Sequence, residues 1–129
     1  MAKETLNFGV VREIARTMSD IEVDTIRGAT SLRTHGKLLA CQAVHKSAEP
    51  NTLVVRLDFD RRKELIEAEP RIYYVTEHYL NYPSVLVRLS EIDRESLKDL
   101  LGMALRYVTS KSKPRGRNAS NLKRSAKAR

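Results

Sequence analysis

The spacing of apolar residues along the chain predicts three helices. The clearest pattern places large apolar side chains at i, i+3, i+4, i+7, i+8 and i+11, as one face of a helix requires. Its residues are Leu97, Leu100, Leu101, Ala104, Leu105 and Val108. A shorter stripe, formed by Val11, Ile14, Ala15 and Met18, predicts a first helix over about residues 7–19. The expected N-caps of the three helices are Asn7, Asp58 and Asp93, and Pro70 is expected to end the second.

Alternating and continuous apolar runs predict five strands. Three lie between the first two helices, over about residues 31–33, 38–44 and 53–57, and two more flank a polar loop, over 71–76 and 85–89. The run 38–44 is mostly apolar, which is typical of a central strand covered on both faces. Gly36 is expected to take a positive φ in the tight turn before this run. Residues 20–30 show no clean period and are expected to lead into the sheet.

The predicted order of elements is α-β-β-β-α-β-β-α. Connections within each group of strands are short, which favours antiparallel pairing because parallel neighbours need long crossovers. Helices placed on one face of a single sheet would bury the apolar stripes of both. The sequence therefore predicts an α+β fold with two layers, one of helices and one of antiparallel strands.

The positive charge of the chain is concentrated at its C-terminus. The formal net charge is +8, and residues 110–129 contain eight cations and no acid, so residues 1–109 are neutral overall. A segment of this composition buries too little apolar surface to offset the entropy cost of ordering. We therefore expect one domain over residues 1–109 and a basic, disordered tail over 110–129.

Other features of the composition limit the class of protein. No apolar run is long enough to cross a bilayer, and the N-terminus lacks the apolar region of a signal peptide. One cysteine, Cys41, excludes an internal disulfide. These observations predict a cytoplasmic protein that does not contact membranes.

The loop between the last two predicted strands is rich in side chains that bind ligands. It contains Thr76, Glu77, His78, Tyr79, Asn81 and Tyr82. In one interpretation, Tyr79 and Tyr82 stack on exposed bases while His78, Asn81 and Arg88 contact phosphates or base edges. In the other, the tyrosines pack over the sheet edge, and polar side chains hold the loop backbone. The sequence leaves both interpretations open.

Cations on or beside the predicted strands favour a positively charged face. They are Arg33, Lys37, Arg56, Arg71 and Arg88. Each could instead pair with a nearby acid such as Glu69 or Glu91, and surface pairs of this kind contribute little. In the tail, the candidate phosphate contacts are Lys113, Arg115, Arg117, Lys123 and Arg124. The charged residues 60–64 and 67 are expected to form a solvated helix face.

The residues do not favour a catalytic or metal site. Cys41 and His45 lie four positions apart along a predicted strand, about 13 Å, which is too far for proton transfer. Cys41 is expected to be a small buried apolar residue. His35, His45 and His78 fall in separate turns without the spacing of metal ligands. We therefore expect a non-enzymatic protein without cofactor or metal.

The chain resembles the MmcQ/YjbR-like family. The pattern Tyr-Val-Thr-x-His-Tyr-x-x-Tyr-Pro-x-Val-Leu-Val-Arg-Leu occupies residues 74–89, and Gly36-Lys37-Leu38 matches the Gly-Lys before the family's second strand. The resemblance implies a small α+β domain of the secretion-chaperone-like type. It also implies DNA binding, through similarity to a double-wing domain of a phage transcription factor. The chain departs from the family at Ser84, where members often have Trp, and in its basic tail.

Two functional hypotheses follow. In the first, the protein binds DNA through the hairpin loop and the strand cations, and the tail adds non-specific phosphate contacts whose affinity falls with salt. In the second, it is a protein-interaction or chaperone-like module that uses the same scaffold, with a protein partner or a second copy of itself in a homodimer. A large exposed apolar patch would favour the second hypothesis.

Overall fold

Three helices form where the sequence predicts them in the computed structural model, which describes residues 5–112. Helix α1 spans Phe8–Arg16, α2 spans Phe59–Ala68 and α3 spans Arg94–Ser112. Helix α3 continues past residue 109, and the predicted tail from residue 113 onward lies outside the described residues. Within the described part of the chain, no helix has the length and apolar character needed to cross a membrane.

Each helix begins at its predicted N-cap. The Oδ1 atom of Asn7 accepts a hydrogen bond from the Val10 amide at 3.1 Å. The Oδ1 atoms of Asp58 and Asp93 accept from the amides of residues 61 and 96, both at 2.7 Å. These bonds satisfy amide groups that have no partner within their own helix.

The strands form one antiparallel sheet of six, with the order β1-β2-β3-β4-β6-β5. Their bounds are β1 Glu22–Ile26, β2 Ala29–Thr34, β3 Lys37–Gln42, β4 Thr52–Arg56, β5 Tyr73–Tyr74 and β6 Ser84–Arg88. A single 3₁₀ turn, Glu77–Tyr79, lies between β5 and β6. The predicted α+β class is confirmed, and the element order is α-β-β-β-β-α-β-β-α.

The prediction of five strands was one short, because β1 gives no hydrophobic signal. This edge strand is exposed at every position except Val23, so its side chains do not alternate between apolar and polar. A two-residue turn joins β1 to β2, with positive φ at Arg27 and Gly28. Asn-Gly is the stronger sequence signal for such a turn. The turn before β3 has positive φ at His35 and at Gly36, as expected for Gly36.

All three helices pack on the same face of the sheet. Helix α1 contacts β1 and β2, α3 contacts β3 and β4, and α2 contacts β5 and β6. The fully buried large side chains between the two layers are Leu6, Val11, Leu32, Leu39, Leu53, Leu57, Leu89, Ile92, Leu97, Leu100 and Leu101. We call the other side of the sheet the outer face, and no described helix covers it.

Strand β3 was expected to be covered on both faces, and this expectation was wrong. Leu38 and Cys41 are half-buried, and Val44, just after the strand, is 79% exposed. Leu39 and Ala40 both belong to the helix-side core because the β2–β3 register shifts at this point. A local bulge, rather than burial on two faces, therefore explains the continuous apolar run.

Arg62 corrects the prediction that the charged residues of α2 form a solvated face. Its side chain is 9% exposed, and its guanidinium donates to the carbonyl oxygens of Leu80, Tyr82 and Ser84 at 3.1–3.2 Å. The guanidinium also lies 4.8 Å from the ring centroid of Phe59. Burial lowers the pKa of Arg62. Arg62 thus fixes the segment 80–84, which leads into β6, against α2.

Replacing Arg62 with Met is expected to destabilise the protein by roughly 2 kcal/mol, because three backbone carbonyls lose a charged donor. Urea unfolding monitored by circular dichroism would measure the change. The matched control is Lys63→Met at the next, exposed position of α2, which should alter stability by no more than about 0.5 kcal/mol. Equal stabilities of the two variants would contradict the role of Arg62.

Candidate functional site

Two long loops meet over the outer face of the sheet. We call their contact residues the loop network; it joins residues 43–51, between β3 and β4, to the hairpin of β5 and β6. The rings of His45 and His78 stack with centroids 3.5 Å apart and planes 8° apart. The hydroxyls of Ser47 and Thr76 share a hydrogen bond of 2.9 Å. The predicted hairpin loop is therefore held by a second loop that is distant in sequence.

Arg88 is the most highly connected side chain of the loop network. Its Nε and Nη2 atoms donate to the two carboxylate oxygens of Glu49, both at 2.9 Å. Its Nη1 atom donates to the carbonyls of Pro70 and Arg71 at 3.1 and 3.2 Å. The guanidinium also lies over the ring of Tyr74, 4.2 Å from the centroid. The partner is Glu49 rather than Glu69 or Glu91, because the loop fold brings residues 49 and 88 together.

The ion pair between Arg88 and Glu49 shifts the pKa of both residues. The hydrogen bond from Arg88 holds the pKa of Glu49 below its ordinary value, and the same bond raises the pKa of Arg88. With its donors directed at Glu49 and two backbone carbonyls, Arg88 could contact a phosphate only after these bonds break. Arg88 therefore stabilises the site in the structure described.

Tyr74 and Tyr79 pack within the protein, as the second interpretation of the loop expects, whereas Tyr82 is exposed, as the first interpretation requires. Tyr74 reaches across β6, and its hydroxyl bonds to Thr52 Oγ1 at 2.7 Å and accepts from the Glu49 amide at 2.8 Å. Tyr79 is half-buried and packs edge-on against the His78 ring, with centroids 4.8 Å apart. Burial raises the pKa of Tyr79. Tyr82, in contrast, is 60% exposed.

The surroundings of His45 favour the neutral imidazole over the charged form. Its Nδ1 atom accepts a hydrogen bond from the Ser47 amide at 3.0 Å, so a proton on Nδ1 would face another donor. Desolvation lowers the pKa of His45, and the positive charges of His78 and Lys46 lower it further. The His45 ring therefore gains a proton at a lower pH than an ordinary histidine.

The strand register shows which of the predicted binding residues lie at each end of the sheet. Thr34 pairs with Lys37, and Arg56 pairs with Ser84, so the β2–β3 turn, the start of α2 and residues 80–83 share one end. The C-terminal end of α3 lies here too, since Asp58 and Arg61 line a cleft of about 460 Å³ with Met103, Arg106, Tyr107 and Ser110. We call this the tail end of the sheet.

Three of the predicted binding residues in the described part, Lys37, Asn81 and Tyr82, are exposed at or beside the tail end. Arg33 lies close by, half-buried on the outer face of β2. Arg71 and Arg88 lie at the opposite end, because β6 runs away from the tail end. His78 and Tyr79 lie between the ends, within the loop network. The five predicted tail cations, from Lys113 to Arg124, lie outside the described residues.

Sequence reasoning missed three residues that shape these surfaces. Glu49 carries no local signal because its partner, Arg88, is distant in sequence. Arg106 could have been identified from its helical position, which lies off the apolar stripe of α3 and near the helix end. Arg61 lines the same cleft, although it also pairs with Glu64 at 3.0 Å. Among the described residues, no group of three His, Cys, Asp or Glu side chains is arranged to hold a metal.

Glu49→Gln is expected to lower stability at about pH 7 and to have a smaller effect as the pH falls below 4.5. The lowered pKa of Glu49 stabilises the folded state above the unfolded value of 4.5, and this contribution is lost as the pH falls through the folded pKa. Thermal unfolding at several pH values would measure the effect. Glu67→Gln on exposed α2 is the control, and its difference from wild type should not depend on pH in this way.

His45 is expected to titrate below 6.5, and His78→Gln is expected to raise the pKa of His45 part of the way towards 6.5. The substitution removes a positive charge stacked on the imidazole but leaves its desolvation. An NMR titration of the His45 ring would measure both values, with His35→Gln in a distant turn as the control. Because the folded pKa is lowered, the contribution of His45 to stability is lost as the pH falls below 6.5. A His45 pKa unchanged by His78→Gln would contradict the electrostatic effect of His78 on His45.

Comparison with known proteins identifies the fold and gives no function. No family model matches the chain. A segment of 37 residues is 49% identical to uncharacterised proteins of Mycobacterium bovis and Mycobacterium tuberculosis, and the match spans 29% of this chain and 29% of each relative. The crystal structure of Deinococcus radiodurans protein DR2400, which has the domain DUF419, is similar with a TM-score of 0.68. That likeness covers 90% of this chain and 88% of DR2400 at 17% identity, so the chain shares the small α+β fold of DR2400.

Proposed function

We propose that this protein is a non-enzymatic DNA-binding protein of the MmcQ/YjbR type. The resemblance of residues 74–89 to that family motivates the proposal, and the observation that carries it is the position of the last described residues. Helix α3 ends at Ser112, at the end of the sheet where Lys37 and Tyr82 are exposed. The segment 110–129, which contains eight cations, thus continues the chain from the same end of the sheet where predicted binding residues of the folded domain are exposed.

The charges at the tail end of the sheet favour a mode of binding in which the C-terminal segment makes most of the phosphate contacts. Lys37 and Arg106 are exposed, and neither forms an ion pair in the described part of the chain. Acidic residues are close by, since Asp58 caps α2 and Asp60 lies in its first turn. The folded part therefore offers few net positive charges, and most phosphate contacts come from the tail. Binding of this kind is weak, non-specific and strongly dependent on salt.

The hairpin loop supplies an aromatic contact in this proposal. Tyr82 and Asn81 are exposed, and Arg62 holds the backbone on both sides of Tyr82 through the carbonyls of residues 80 and 84. A tyrosine on a fixed backbone loses little entropy when it packs against a sugar or a base. The loop network holds the His78 ring against His45 and Tyr79, although His78 is itself exposed. The proposal therefore assigns DNA contact to Tyr82 and the tail rather than to Arg88.

Fluorescence anisotropy with a labelled duplex of about 20 base pairs, at salt concentrations from about 50 to 200 mM, tests the proposal. The full chain is expected to bind with an affinity that falls linearly on a logarithmic salt scale. Changing the tail cations Lys113, Arg115, Arg117, Lys123 and Arg124 to Gln should reduce that slope by about 4.5. Lys37→Gln should reduce it by about one.

Arg71→Gln provides the matched control, because Arg71 is exposed at the opposite end of the sheet. It is expected to leave both affinity and salt slope within error of wild type. Absence of binding by the full chain at the lowest salt would overturn the proposal. Equal losses from Arg71→Gln and Lys37→Gln would show that the tail end is not the binding surface.

A further inference from the structure

A groove runs along the outer face of strands β1 to β3, beside the loop network. Its volume of about 530 Å³ lies within the range of small-molecule sites in proteins. Its apolar side chains are Ile26, Leu38, Cys41 and Val44, and its cations are Arg27 and Arg33. The lining contains no carboxylate. An apolar groove with positive charge on its rim is suited to an anion that carries an apolar body.

Ser31 supplies an independent indication of a ligand. Leu32 faces the helices, so the alternation of β2 turns Ser31 to the outer face, beside its register partner Cys41. The Ser31 side chain lines the groove, is 4% exposed, and its hydroxyl has no hydrogen-bond partner in the described part of the chain. The hydroxyls of Thr34 and Ser84 are also buried without a partner in the described part, but neither residue lines the groove. An acceptor atom in the groove would give the Ser31 hydroxyl a partner once neighbouring side chains move, because its Oγ atom is closed to solvent in the structure described.

The charge of Arg33 acts on the same part of the groove. Burial raises the pKa of the Cys41 thiol, and the nearby positive charge of Arg33 opposes that shift. Arg33 is half-buried and forms no ion pair in the described structure, although Glu22 lies opposite it in the β1–β2 register. The other acid of β1 on this face, Asp24, accepts a hydrogen bond from the Thr25 amide at 2.8 Å. Neither acid lines the groove.

We propose that this groove binds a free monocarboxylate with an unbranched apolar chain of about ten carbons. The carboxylate pairs with Arg33 and accepts a hydrogen bond from Ser31, two positions away on the same strand face and about 7 Å along it. The chain then lies over Cys41 and ends between Ile26 and Val44. The five strand residues from 29 to 33 span the required length of about 13 Å.

The dimensions of the groove favour this ligand over a second protein chain. Two of its large apolar side chains are strongly exposed, Ile26 at 46% and Val44 at 79%. A stable protein interface needs about 800 Å² of surface from each partner, which is far more than two side chains supply. The Asp24 side chain also accepts a hydrogen bond from the Thr25 amide, which makes the free edge of β1 less available for pairing with another strand. The inference is independent of DNA binding, which uses the tail end.

Titration of the full chain with decanoate, followed by amide NMR shifts at about 150 mM salt, tests the proposal, since this salt screens the cationic tail. Decanoate is expected to bind saturably with a Kd below about 1 mM and to shift the amides of Ser31, Cys41 and Gln42. Arg33→Gln should weaken binding at least tenfold. Val44→Asp, at an exposed position where folding is not at risk, should weaken it similarly. Decanol, which lacks the charge, should bind at least tenfold more weakly than decanoate.

The matched control variant is Arg16→Gln, which removes an exposed cation at the end of α1, on the helix side of the sheet. It should bind decanoate as wild type does. The proposal is overturned if decanoate gives no saturable shifts, if the shifts cluster on the helices, or if Arg33→Gln and Val44→Asp bind like Arg16→Gln. It is also overturned if Val44→Asp changes the oligomeric state while decanoate fails to bind, because the groove would then be a protein interface.

Discussion

The structure depends on the burial of one face of a six-stranded sheet under three helices. The apolar stripes of α1 and α3 meet the inward residues of β2, β3, β4 and β6, and this contact excludes water from the core. No described helix covers the outer face. The chain covers half of that face with the loop network and leaves the other half as a groove. The loop network and the groove are therefore separate surfaces because the outer face is covered on one side only.

Several cations stabilise the fold instead of forming a charged surface. Arg62 binds three carbonyls, and Arg88 binds Glu49 and two further carbonyls. Guanidinium suits this use because its planar donors can satisfy several acceptors at once. Counting charges along the sequence therefore overestimates the positive surface of the folded part. Lys37 and Arg106 stay exposed at the tail end, but Asp58 and Asp60 lie close by, and this gives the tail its larger share in the proposed DNA contact.

Local sequence signals predicted the helices and most strands correctly. The caps Asn7, Asp58 and Asp93 act over three residues, so the sequence that contains them also contains their partners. Strand β1 was missed because an exposed edge strand needs no apolar alternation. The single-sided environment of β3 was also missed, since a bulge and a doubly covered strand produce the same apolar run. Of the candidate site, sequence identified the residues of the hairpin loop but neither Glu49 nor the groove.

The sequence by itself determined the class of fold, the helix starts and the concentration of charge after residue 109, because each depends on neighbouring residues. Tertiary structure alone decided which charged side chains remain exposed. Glu49 and Arg88 are 39 positions apart, and Arg62 is 22 positions from Ser84. Such pairs form only when chain folding brings distant segments together, and their geometry depends on the sheet register. The outer-face groove likewise exists only because all three helices pack on the opposite side.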